Sequence, residues 1–234
     1  MKVGAIVQAR MNSERLPGKV LHTVRGKPML EYLLERLDHC KSLDAVVVAT
    51  STDPTDDPVA RFCRQGARQC FRGSLDNVAS RFKDVLDTSK LDAFVRISGD
   101  SPLLDPKVVD RGVELFLKGD YDVVTNVFPR SFPRGQSVEV VRAGTFRRAF
   151  ERAWSEDELQ HVTLYFYRHP EWFRILNFGA DADYSGVHLA VDTIEDMERF
   201  ASLVEGMEKS HWEYSLPEIL DMCRTVYDPR RSRA

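Results

Sequence analysis

Arg10, Arg15 and Lys19 fall within ten residues near the amino terminus, on a stretch that also carries Ser13, Pro17 and Gly18. Arginine offers a planar fork suited to bidentate contact with phosphate oxygens, and lysine a mobile point charge suited to a β- or γ-oxygen. Pro17 and Gly18 let the backbone turn tightly, so that loop N–H groups add to an anion site. Three fixed positive charges this close together suit a polyanion, most simply a nucleoside triphosphate. A solvated loop is the plain alternative, and position argues against it. Residues 3–9, immediately before, are apolar and read as a buried strand, and the carboxyl end of such a strand feeds the crevice where α/β folds bind ligands. The P-loop pattern GxxxxGK[ST] is not present.

Two carboxylates extend this chemistry. Asp100 lies in SGDSP (98–102), after an apolar run at 93–97, and Asp192 ends a strand-like run at 187–191. Taken singly, each reads as a helix cap, and Thr193 with Asp196 has capping-box character just ahead of a helix. Taken together with the cationic loop, the pair matches Mg²⁺. That ion takes one or two protein carboxylates and completes its octahedron with water and substrate phosphate oxygens.

The elements that must position these residues alternate in the first half of the chain. Short apolar, β-branched runs at 3–9, 45–50 and 93–97 suit strands covered on both faces, as in a parallel sheet. Between them, Pro28 fits a first helical turn, and Met29, Leu30, Leu33, Leu34 and Leu37 form one apolar helical face. Further helices are predicted over 57–65, 76–86 and 106–117, the last capped by Asp105. Residues 121–125 return to strand. Beyond a loop at 128–135, the spacing predicts strands at 137–141, 172–178 and 187–191. Helices are predicted at 143–153, 156–167, from 194 onward and at 216–227, with a basic, frayed tail at 228–234. The 234 residues read as one domain, in which 128–185 is a candidate insertion covering the carboxyl edge of the sheet.

Composition bounds the function. The chain is 43% hydrophobic and 29% charged with a net charge of −3, which argues against a general nucleic-acid binder. Cys40, Cys63, Cys70 and Cys223 show neither a CxxC pair nor metal-ligand spacing, and read as reduced thiols. No apolar run reaches the ~18–20 residues of a membrane span, and the first residues lack a signal-peptide pattern. A cytoplasmic protein is expected.

Five segments now carry a resemblance: QARMNSERLPGKVL (8–21), FRGSLDNV (71–78), VRISGDSPLLDP (95–106), HVT (161–163) and VDTIED (191–196). In this order they resemble the SpsF-type cytidylyltransferases of spore-coat polysaccharide synthesis, related to CMP-Kdo and CMP-sialic acid synthetases. The resemblance implies a Rossmann-like nucleotide-diphospho-sugar transferase fold, a mostly parallel mixed sheet with helices on both faces. It implies that CTP lies over the carboxyl ends of the first strands, with Ala9, Arg10, Ser13, Arg15 and Lys19 on the nucleotide and Arg72, Ser74 and Asn77 framing base and ribose. Asp100 and Asp192 would hold Mg²⁺, and Lys19, Arg15 and Asp100 would carry catalysis. Arg134, Glu139 and His161 are the candidate contacts to a sugar acceptor.

The acceptor side departs from the family pattern. GQSVEV (135–140) stands where the family has GLDVEV, and LQHVT (159–163) where it has REHVT, so that Ser137 and Gln160 replace charged residues. Relatives are commonly dimers, and the aromatic content of 128–180 suits a homodimer. Two other readings remain at this level. One is a glycosyltransferase using Asp181 and Asp183 as an Asp-x-Asp metal site, and the other a nucleotide-binding protein with a decayed acceptor site.

Overall fold

The early apolar runs become neighbouring strands because each is buried on both faces, which a sheet lying between two helix layers permits. The computed structural model describes residues 1–226, so the tail expected at 228–234 lies outside the described residues. Its strands are β1 (Val3–Gln8), β2 (Thr23–Val24), β3 (Lys27–Pro28), β4 (Ala45–Ser51), β5 (Gln69–Gly73), β6 (Ala93–Ser98), β7 (Val123–Thr125), β8 (Glu139–Arg142) and β9 (Ile175–Asn177). Seven of them form one sheet in the order β5-β4-β1-β6-β8-β7-β9. β8 runs antiparallel to β6 and β7, while β1, β4, β5 and β6 are mutually parallel, giving the mostly parallel mixed sheet expected. β2 and β3 pair as a small hairpin whose turn residues, Arg25 and Gly26, both take positive φ, as a tight two-residue hairpin turn requires.

The helices are α1 (Met29–Asp38), α2 (Asp57–Gln65), α3 (Val78–Thr88), α4 (Pro106–Lys118), α5 (Ala143–Phe150), α6 (Glu156–His161), α7 (Leu164–Arg168), α8 (Ile194–Glu205) and α9 (Leu216–Val226). They split by face. Val3, Ala5 and Val7 of β1 pack in one cluster with Leu30 and Leu33 of α1, Val113 of α4, Phe200 of α8 and Ile219 of α9. Ile6, between them in sequence, points the other way into a cluster with Phe82 of α3, Phe146 of α5 and Phe166 of α7. Each fully buried side chain of this size contributes ~1.5–3 kcal/mol, so both layers are needed to hold the sheet.

Strand order fixes where a ligand can sit. From β1 the chain moves outward through β4 and β5, then crosses back to place β6 on the other side of β1. The carboxyl ends of β1 and β6 therefore flank the point where the winding reverses, the crevice where open α/β sheets bind ligands.

Three expectations need correction. Residues 187–191 do not form a strand of the sheet. The segment is extended but pairs with the loop at Arg134, through Arg134 N to Val187 O (3.0 Å) and Leu189 N to Arg134 O (2.8 Å), and with Asp100 through Val191 N to Asp100 O (2.8 Å). The helix predicted over 156–167 is two helices, broken at Val162, which takes φ +50° and ψ −57°. The helix predicted over 143–153 ends at Phe150. By contrast, Asp105 caps α4 through Lys107 N, and Thr193 with Asp196 forms the capping box of α8. The cap of α8 is thus Thr193, which leaves the Asp192 carboxylate available elsewhere. The region 128–185 supplies β8 and β9 to the main sheet along with α5–α7. Much of its aromatic surplus packs inside the chain itself: Phe132, Tyr165 and Phe166 are buried, whereas Phe128 and Trp172 are exposed.

Candidate active site

The cationic loop is held by its own backbone and by one carboxylate. Met11 O accepts hydrogen bonds from Ser13 N (3.0 Å) and Gly18 N (2.8 Å), closing the loop on itself. Gly18 takes φ +76°, a left-handed conformation that a residue with a Cβ adopts only under strain. It is followed by a short 3₁₀ turn at Lys19–Leu21 that aims Lys19 inward. Asp56 is fully buried beyond the end of β4 and accepts from Met11 N (2.6 Å) and Ser51 N (3.2 Å), tying the loop to the neighbouring strand.

On the other side of the switch point, Gly99 N donates to Gln8 O at 2.8 Å. A Cβ at position 99 would stand 2.9 Å from that same oxygen, so glycine is what lets the β6 loop approach β1. Asp100 then emerges beside the loop. The 187–191 segment, held against Asp100 O, delivers Asp192 to the same place.

These pieces converge on Lys19. Its side chain is 9% exposed, and Nζ donates to Val191 O (2.7 Å) and Asp192 Oδ1 (2.9 Å) while lying 3.5 Å from Asp100 Oδ2. Arg15 Nη2 reaches Asp192 Oδ1 at 3.0 Å from a largely exposed position. Burial opposes ionisation of Asp192, but the Lys19 hydrogen bond and the nearby charges of Lys19 and Arg15 outweigh it and hold its carboxyl below the ordinary aspartate range.

Ala9, Arg10, Ser13, Arg15, Lys19, Asp100, Asp192 and His161 all line one cavity of about 400 Å³, a size suited to a small ligand. Four cations, Arg10, Arg15, Lys19 and Arg81, face three carboxylates there, Glu14, Asp100 and Asp192. Gln8, Gln160 and Arg81 also line it. Neither Gln8 nor Arg81 is among the residues singled out by sequence. The signal for Arg81 lay in the helix pattern, since an arginine falls on the apolar stripe of α3 formed by Val78, Phe82 and Val85.

The remaining candidates sit apart from the cavity lining. Arg72 is engaged with Ser51 O (2.8 Å), Asp53 O (3.1 Å) and Asp57 (2.7 Å). Ser74 Oγ accepts from Asn77 N (3.1 Å), and Asn77 Oδ1 caps α3 by accepting from Ser80 N (2.8 Å). Arg134 is exposed on the loop that pairs with 187–189. Ser137 Oγ accepts from Arg130 Nη2 at 3.0 Å. Asp181 and Asp183 are exposed in a turn where Asp183 accepts from Ser185 N (2.9 Å), away from the cavity lining.

Glu139 is almost fully buried and fully engaged. Arg96 Nη1 donates to Oε2 (2.7 Å), and Thr163 Oγ1 (2.6 Å) and Tyr167 OH (2.7 Å) donate to Oε1. The break at Val162 makes this possible: Thr163 N closes a tight three-residue turn onto His161 O (2.5 Å), turning His161 to the cavity and Thr163 to Glu139. Burial alone would push the Glu139 carboxyl up, but Arg96, Thr163 and Tyr167 outweigh it and hold it below the ordinary glutamate range. A carboxylate with a depressed folded pKa stabilises fully above the unfolded value, about pH 4.3, and loses that contribution as pH falls through the folded value. Glu139→Gln should therefore cost about 3 kcal/mol or more near pH 7 by leaving Arg96 without its buried counter-charge. Urea unfolding should show the gap to the wild type narrowing below about pH 4.3. A gap under about 1 kcal/mol at pH 7 would reduce the pair to a surface-like ion pair.

Among the described residues no helix is long and apolar enough to cross a membrane. A family model described as Cytidylyltransferase matches residues 4–226. The spore coat polysaccharide biosynthesis protein SpsF of Bacillus subtilis is 34% identical over 209 residues, covering 86% of this chain and 85% of SpsF. The structure of a cytidylyltransferase from Leptospira borgpetersenii superposes with a TM-score of 0.91 at 32% identity, over 97% of this chain and 95% of that one. A CMP:2-keto-3-deoxy-manno-octonic acid synthetase solved in complex with CTP shares the fold, with a TM-score of 0.69 at 19% identity over 88% of this chain and 99% of that one. The family match runs through every element that builds the cavity, and this chain belongs to the cytidylyltransferases, a family of nucleotidyltransferases.

Proposed function

We propose that the protein transfers a cytidylyl group from CTP to an acidic sugar acceptor, with Mg²⁺ bound and pyrophosphate released, as a step in surface polysaccharide synthesis. The observation that carries this reading is the Lys19 ammonium set between Asp100 and Asp192 on the cavity at the switch point. Attack of an acceptor oxygen on the α-phosphorus needs positioning and charge neutralisation rather than a protein nucleophile. Arg15 and Lys19 supply fixed positive charge for the phosphates and for the departing pyrophosphate. Arg10, exposed at the rim, adds to the field that draws the polyanion in.

The donor set fits a magnesium ion. Asp100 and Asp192 lie close enough to share one ammonium, and Asp192 keeps its charge despite partial burial. Two carboxylates, with phosphate oxygens and water, are what Mg²⁺ accepts. Bound there, the ion would neutralise phosphate charge and acidify an acceptor hydroxyl. The name of the Bacillus relative supports a polysaccharide setting, and the CTP complex of the synthetase supports CTP as donor. Gln160 and His161 line the same cavity and are the proposed contacts to the acceptor.

The test crosses CTP, UTP, ATP and GTP with eight- and nine-carbon keto acids and reads pyrophosphate release. Acceptor-dependent release from CTP is expected. Consumption of a nucleotide sugar would favour glycosyl transfer, and CTP binding without turnover on any acid sugar would favour a decayed acceptor site.

A further inference from the structure

Two polar side chains on the cavity wall have atoms buried without a partner. Arg81 is 2% exposed, and its Nη1 donates to Ser74 O (2.5 Å) and Leu75 O (3.0 Å), but its Nε has no acceptor. Gln8 Oε1 is likewise buried with no donor. Both residues line the candidate active-site cavity. The Asp56 carboxylate acts on Arg81 only through space, and the Arg10 charge opposes it. Burial pushes its pKa down to about 10, so it stays charged at neutral pH. A buried guanidinium without a carboxylate is costly, and such an orphaned donor calls for a ligand-side explanation.

The orphan atoms form a complementary set, one cationic donor and one acceptor. Arg81 also comes from a different wall than Lys19. Val20, next to Lys19, packs in the cluster on one face of the sheet, whereas α3, which carries Arg81, packs its Val78 and Phe82 on the other. A nucleotide held by Lys19 and Arg15 at one end has room for its base at the other.

We propose that Arg81 and Gln8 read the nucleobase, Arg81 donating to O2 and N3 of cytosine and Gln8 Oε1 accepting from the N4 amine. The proposal rests on the cytidylyl-transfer reading above and deepens it. Selectivity resides in Arg81. A guanidinium is donor-only and always charged, so uracil, with a hydrogen on N3, sets donor against donor. Gln8 is permissive by itself, because its amide can turn to present N–H to uracil O4. Arg81 also holds the Ser74–Leu75 carbonyls, which fixes the orientation of its fork.

The test is calorimetric titration of the full chain with CTP and UTP in the presence of Mg²⁺, with folding checked by circular dichroism. The wild type should prefer CTP by about 10–100-fold, the effect of one or two unmade buried hydrogen bonds. Arg81→Met should bring that ratio to within about threefold of unity, and Arg81→Lys, which keeps the charge and loses the fork, should fall between. Gln8→Leu should weaken CTP binding by about tenfold. Should Arg81→Met fail to fold, Arg81→Lys and Gln8→Leu carry the test. A wild-type ratio preserved in Arg81→Lys, together with CTP affinity unchanged in Gln8→Leu, overturns the assignment and leaves cytidylyl transfer standing. So does an equal loss of both nucleotides in the arginine variants, which would make Arg81 a loop anchor. A wild type that binds no CTP overturns the functional reading itself.

Discussion

Replacing Lys19 by alanine is expected to lower the turnover of CTP by about 10²–10³-fold, the size of effect seen when one fixed donor to developing transition-state charge is removed. The geometry argues for the upper part of that range. Lys19 is buried at 9% side-chain exposure and holds three oxygens at once, those of Val191, Asp192 and Asp100. Its position is therefore set before substrate arrives, and little reorganisation is needed as charge develops on the proposed pyrophosphate leaving group. Arg15 cannot replace it, because it is 63% exposed and reaches Asp192 alone. Lys19→Arg should rescue poorly: the guanidinium is too wide for a slot bounded by a carbonyl and two carboxylates. Lys19→Met keeps the stem packed and removes the charge, and should match alanine in rate. Steady-state pyrophosphate release over a range of CTP concentrations checks this, with the loss appearing in kcat more than in KM. Turnover within about threefold of wild type in a folded Lys19→Met protein would remove Lys19 from the chemistry.

Much of this site was legible in the sequence because it depends on local rules. An apolar strand followed by a charged loop with Pro17 and Gly18 places that loop at a strand's carboxyl end. The caps at Asp105 and Thr193 follow from residue type and spacing alone. What escaped depends on partners far away in the chain. Residues 187–191 have strand composition, yet their hydrogen bonds go to Arg134 and Asp100, and composition carries no record of which neighbour an extended segment will find. Val162 carries no glycine or proline signal, and the break there is enforced by tertiary contacts, its own full burial and the Thr163 bond to Glu139. Glu139, a candidate acceptor contact by resemblance, instead sits in a closed network with Arg96, Thr163 and Tyr167. Arg72 and Asn77 likewise spend their polar groups on the β4 loop and on the α3 cap. A charged residue in a motif marks a position that matters, and only the fold decides whether it faces ligand or scaffold.

Asp100→Asn is expected to lower turnover by about 10²-fold while leaving the fold unchanged. The amide is isosteric, its oxygen can still accept from Ser101 Oγ (3.1 Å in the native protein), and the backbone carbonyl that receives Val191 N is untouched. Lys19 keeps its contacts with Asp192 and Val191 O, so its placement survives as well. What is lost is one of the two negative charges proposed to hold Mg²⁺, and this separates the two roles open to Asp100. If it is a metal ligand, the Mg²⁺ concentration for half-maximal activity should rise at least about tenfold, and excess Mg²⁺ should restore part of the rate. If it acts only by orienting Lys19, the rate should fall with the Mg²⁺ requirement unchanged. Asp192→Asn is a harsher change, because Asp192 is the closest carboxylate to Lys19 and also holds Arg15. It should raise the Mg²⁺ requirement and also weaken CTP binding, through the two cations it releases. A Mg²⁺ titration of both variants therefore distinguishes a shared metal site from a charge network that merely positions the lysine, and an unshifted midpoint in both would rule out the carboxylate pair as the metal's ligands.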